Sequence, residues 1–98
     1  MGETQVFVGI VRIEMHIPGA RSLKDKRQVV RGLKDRIREH ARAAVAEVEF
    51  QDLWQRAALG VAVVAADTGQ ARELLQVVRR LVEQTYAAQL TDWQESIQ

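Results

Sequence analysis

This sequence of 98 residues has no cysteine. That one absence removes disulfides, thiolate metal sites and thiol nucleophiles together, and it fits a reducing cytoplasm. Asparagine is missing too, there is one proline, and aromatic residues make up only 5% of the chain. No stretch approaches the roughly 18 apolar residues of a membrane span. The N-terminus lacks a basic start followed by a long apolar run, so no signal peptide is expected. Glycine-rich phosphate loops and H-x-x-x-H metal spacings are also absent. What remains is 47% hydrophobic and 28% charged, a balance that predicts one globular domain over residues 1–98.

Periodicity supplies the elements. In residues 5–17, QVFVGIVRIEMHI, the odd positions from Phe7 to Ile17 are apolar throughout and the second half alternates with polar residues, the pattern of a long strand with its odd face in the core. Ser22 is an N-cap with Asp25 three residues on, opening a helix to about Arg42 whose buried stripe is Val29, Val30, Leu33, Ile37 and Ala41. Residues 44–50 and 56–66 read as strands joined by a turn at QDLW. Asp67 caps a second helix with Gln70 reaching back, and residues 89–97 close the chain as a last strand. The order β-α-β-β-α-β predicts an α+β, ferredoxin-like domain: a four-stranded antiparallel sheet with two helices on one face.

Charge is spread unevenly. Residues 21–42 hold nine bases and three acids, a local charge of +6, which leaves −5 on the remainder of a chain whose net charge is +1. At 100° per residue, Lys24, Arg27, Arg31, Lys34, Arg38 and Arg42 fall in an arc of about 80°, a seam about 27 Å long. Lys24, Lys26 and Arg27 also crowd the first turns, where the helix dipole favours acids. A broken local rule of this kind points to function. Arg21, Ser22, Lys24, Lys26 and Arg27 with the free N–H groups form an expected anion site, and Arg31, Lys34 and Arg38 extend it along the helix. Trp54 and Arg56, in and after the turn, are candidates for further contacts. The expected ligand is a polyanion, RNA first, with a small phosphorylated compound or an acidic protein as alternatives. A plain solvated face is the competing reading, since Asp35 and Glu39 are spaced to pair with neighbouring bases.

A second surface follows from parity. With the odd face of the first strand inside, Val6, Val8 and Ile10 face the helix-free side, joined by Ala58, Ala62 and Val64 of the third strand. A flat apolar patch there predicts an interface, most simply a homodimer. The alternative function is therefore a protein-interaction or assembly factor that works without nucleic acid.

Catalytic readings are thin. His16 and His40 are isolated, and Glu47 and Glu49 alternate with Val48, so they are expected on one sheet face, paired with Arg12 or Arg56. Acylphosphatase shares the element order but needs an asparagine that the chain lacks. An RNA-recognition motif needs exposed aromatics on the third strand, where RAALGVAVV offers none. No enzymatic activity and no cofactor are expected. The segments HIPGARSLKDKR and EVEFQDLWQRAALGVAVV resemble the YlxP family of small bacterial proteins of unknown function. The resemblance covers nearly the whole chain and is weakest after Tyr86. It implies a ferredoxin-like fold and, through gene neighbourhood, a loose link to RNA metabolism. It carries over no catalytic residues.

Overall fold

The first strand, β1 (Phe7–His16), is followed by α1 (Leu23–Ala41), the strands β2 (Ala44–Glu49) and β3 (Arg56–Ala65), α2 (Thr68–Glu83) and β4 (Gln89–Ile97). These elements come from a computed structural model that describes residues 5–98. Residues 1–4 of the expected domain, Met1 to Thr4, lie outside the described residues. The strands form one antiparallel sheet in the order β2-β3-β1-β4. Both helices pack on one face, as the element order predicts.

Local chemistry sets the helix ends. Ser22 is extended (φ −164°), and its hydroxyl accepts the Asp25 N–H at 3.0 Å. Asp25 returns the contact one residue further back, its carboxylate accepting the Arg21 N–H at 3.0 Å. Asp67 caps α2 by accepting the Gln70 N–H at 2.8 Å, and the Gln70 side chain accepts the Ala66 N–H at 3.0 Å. Each cap satisfies N–H groups that the helix leaves without partners.

The odd positions of β1 and β3 face the helices. Val11, Ile13, Met15, Leu59, Val61 and Val63 are buried there against Val30, Leu33 and Ile37 of α1 and Leu75, Val78 and Val82 of α2. Gly9 lets α2 approach closely: a Cβ there would lie 2.9 Å from Val63 Cγ2 and 3.1 Å from Leu75 Cδ1.

The β2–β3 register shifts between Glu47 and Glu49, so that Glu47 pairs with Leu59 and Glu49 with Ala58. This bulge corrects one expectation. Glu47 and Glu49 do not share a face: Glu47 turns to the helix side, and Glu49 joins the open face beside Arg12. An extra residue in one strand breaks the period of two, and nothing in the alternation announces it.

Candidate nucleic-acid interface

The seam begins at the α1 N-terminus. Arg21, Lys24, Arg27 and Arg31 are exposed, and Lys34 is half-buried. None of these five has a carboxylate within salt-bridge distance among the described residues. Further along, Arg38 is spoken for: it pairs with Asp35 at 3.4 Å and donates to the Val45 carbonyl at 3.3 Å. That second contact places this part of the seam beside β2, one of the sheet's two edge strands. Arg42 ends the helix in the left-handed conformation, φ 51°.

Lys26 was expected to contact the anion and does not. Its side chain is 0% exposed. The ammonium donates to three carbonyls, Phe50 at 2.8 Å, Gln51 at 3.1 Å and Arg56 at 3.4 Å, with the Glu47 carboxylate 3.0 Å away. The Glu47 contact is a charge pair rather than an aligned hydrogen bond. A buried ammonium is tolerated only with such partners. Lys26 therefore explains its own place in the first turn: it reaches down to fasten the β2–β3 loop under α1. Ser22, likewise a candidate for the anion, is used as the cap. The chain's own Ser22 and Asp25 thus occupy part of the expected anion pocket.

Two more candidates are redirected. Arg56 lies on the helix-free face, bonded to Glu14 at 3.1 Å and stacked 3.8 Å from the centroid of the Phe50 ring. Its charge is thus partnered by Glu14, unlike the exposed bases of the first turns. Ala58, expected in an exposed patch, is fully buried. Its strand neighbours are Glu14 and Glu49, and Arg12 bonds to both of these carboxylates while Arg56 bonds to Glu14. This chain of ion pairs roofs the small side chain. Within it the Glu14 carboxyl is held below the usual carboxylate range, by the hydrogen bond from Arg12 first and that from Arg56 second. The Arg12 guanidinium is correspondingly raised by its bonds to Glu14 and Glu49.

Trp54 is 53% exposed. Its loop is tied to the segment that enters α1: the Ile17 N–H donates to the Gln55 carbonyl at 2.9 Å, and the Gln55 amide donates to Pro18 at 3.2 Å and Ala20 at 3.0 Å. With His16, Leu53 and Arg56, Trp54 lines an open hollow of about 600 Å³ at this end of the molecule. The free cations of the first turns and an exposed indole therefore share one end of the domain. Among the described residues, no three His, Asp or Glu side chains gather as metal ligands, and no helix is long and apolar enough to cross a membrane.

A family model described as a protein of unknown function, DUF503, matches residues 8–95. The chain belongs to this family. Among curated proteins, the uncharacterized protein YlxP of Bacillus subtilis (strain 168) is 32% identical over 77 residues, covering 79% of this chain and 84% of that protein. The match agrees with the resemblance carried by the loop before α1 and the β2–β3 segment. Two designed proteins share the fold of this DUF503 domain. One, Foldit4, superposes with a TM-score of 0.53 at 12% identity over 94% of this chain and 97% of its own. The other, LFR1 1, described as having a ferredoxin fold, gives 0.54 at 16% identity over 93% and 84%. At such identities the likeness concerns the fold alone, which is ferredoxin-like as the element order implies.

Proposed function

We propose that this DUF503 protein is a non-catalytic RNA-binding module that holds phosphates along the exposed side of α1. The observation that carries the reading is the seam of Arg21, Lys24, Arg27, Arg31 and Lys34, which has no acidic partner among the described residues although the rest of the chain is net acidic. Arg38, further along the helix, has its charge offset by Asp35. Trp54 adds a stacking surface at the same end, which favours single-stranded RNA over a duplex whose bases are inaccessible.

The test is binding to labelled single-stranded RNA and to duplex DNA at about 50 and 200 mM salt. Five phosphate contacts predict a fall of about a hundredfold in affinity for the single strand across that range. The Lys24→Glu/Arg27→Glu double variant should abolish binding, whereas Arg79→Gln, on α2 beside β4 at the sheet edge opposite β2, should leave it within about twofold. Equal binding by the double variant and the parent would remove α1 as the interface.

A further inference from the structure

The β2–β3 loop is held in a conformation that its own residues disfavour. Phe50 sits in the left-handed region, φ 64°. A bulky side chain there costs backbone energy and persists only where the surroundings over-determine it. Three contacts do so. The Lys26 ammonium and the Leu53 N–H both donate to the Phe50 carbonyl, at 2.8 and 3.0 Å, and the Arg56 guanidinium stacks on the Phe50 ring. The result is a fixed turn that carries Asp52, Leu53 and Trp54, all three exposed. With His16, Gln55 and Arg56 they line the open hollow of about 600 Å³.

The lining decides which chemistry fits. The hollow joins an exposed indole to a carboxylate, an imidazole and a guanidinium. A phosphate in it would meet Asp52, and a cation would meet Arg56. A flat neutral group suits both, provided that it stacks on the indole and carries hydrogen-bonding atoms on its edge. Asp52 is the free acceptor: no cation lies within salt-bridge distance of it among the described residues. Arg56 is already offset by Glu14, and the Gln55 amide is spent on the Pro18 and Ala20 carbonyls.

We infer that this hollow is a nucleobase subsite that selects guanine, stacked on Trp54 with its Watson–Crick edge on Asp52. A carboxylate only accepts, and it does so through two oxygens. Guanine presents two neighbouring donors, N1–H and the N2 amino group, and so meets both oxygens at once. Adenine and cytosine present one amino group beside an acceptor nitrogen, which would face the second oxygen. Uracil presents one N–H between two carbonyls. Stacking alone is indifferent to the base, so the selection falls to Asp52. The pre-set turn keeps the ordering cost of binding low. The subsite rests on the reading of the domain as an RNA binder, with phosphates of the strand on the first turns of α1 and one base in the hollow.

Guanosine 5′-monophosphate tests the base contact without a strand. The chain has two tryptophans, so Trp93→Phe assigns the indole N–H resonance of Trp54. Titration should shift that resonance saturably in the millimolar range. The adenosine, cytidine and uridine monophosphates, of equal charge, should bind about tenfold more weakly, the discrimination of one bidentate contact. Asp52→Asn, at an exposed site, should bring the guanine nucleotide to within about twofold of the other three. The Lys24→Glu/Arg27→Glu variant should keep the parent's ratios, since it removes no base contact. Equal affinity for the four nucleotides would overturn the subsite. So would the lack of any shift up to about 20 mM nucleotide, or a guanine preference that survives Asp52→Asn. Failure of the α1 reading shows separately, as RNA binding that is unchanged in Lys24→Glu/Arg27→Glu, and leaves these ratios untouched.

Discussion

Lys26 illustrates how one residue can carry opposite meanings in sequence and in space. On the helical wheel it is a base in a basic turn. In the fold it is the tether of the β2–β3 loop, with three carbonyls and one carboxylate around its ammonium. Truncating it leaves those oxygens buried without a donor and Glu47 without its counter-charge. Lys26→Ala should cost about 3–5 kcal/mol in urea unfolding, the penalty for breaking a buried pair. Arg27→Ala, one residue on and exposed, should stay within about 0.5 kcal/mol. If the two variants unfolded alike, Lys26 would not be the tether. The wheel hints at this residue only weakly: its angle falls close to that of Val30 and Leu33, but a lysine there conflicts with the usual reading of composition.

At the scale of elements, the sheet and α2 meet through Gly9. The contact is close because β1 presents no side chain at that point; a methyl group there would press on Val63 and Leu75. Gly9→Ala should destabilise the domain by about 1–3 kcal/mol through overpacking, despite the usual benefit of replacing glycine in a strand. An unchanged or raised melting temperature would mean that α2 can retreat. The alternation in residues 5–17 places Gly9 on the core face but says nothing of the distance across it. Capping and periodicity are local and were legible: Ser22, Asp67 and the α1 stripe stand where sequence places them. The Glu47–Glu49 bulge was not legible, because it exists only in the pairing of β2 with β3.

Across the molecule, the open face is held by charge at one end and left apolar at the other. The ion pairs of Arg12 and Arg56 with Glu14 and Glu49 bridge β1, β2 and β3. Folding lowers the Glu14 carboxyl below its ordinary value, mainly through the Arg12 hydrogen bond. A group lowered on folding stabilises the native state above its unfolded pKa, and that contribution is lost as pH falls through the folded value. Glu14→Gln should therefore be less stable than the parent near neutral pH, and the gap should close as pH drops below about 4. A gap that is constant with pH in urea titrations would show that the carboxylate charge contributes nothing. The contrast between the two ends also explains why Ala58 is covered while Ala62 and Val64 are not. Identical strand parity says that all three share a face, and only the side chains of neighbouring strands decide which of them meets water.

The order and bounds of the elements, the antiparallel α+β plan, the caps and the clustering of bases on α1 were determined by the sequence alone. Each depends on residues within a turn or two of one another, or on a period that a single element repeats. The inward turn of Lys26, the separation of Glu47 from Glu49, the removal of Arg56 to the far face and the roof over Ala58 were decided by tertiary structure. In each case a long polar side chain met a partner from another element, 21 to 42 positions away. Such partners are chosen by desolvation and hydrogen-bond geometry in the assembled fold, and no pattern within a single segment encodes them.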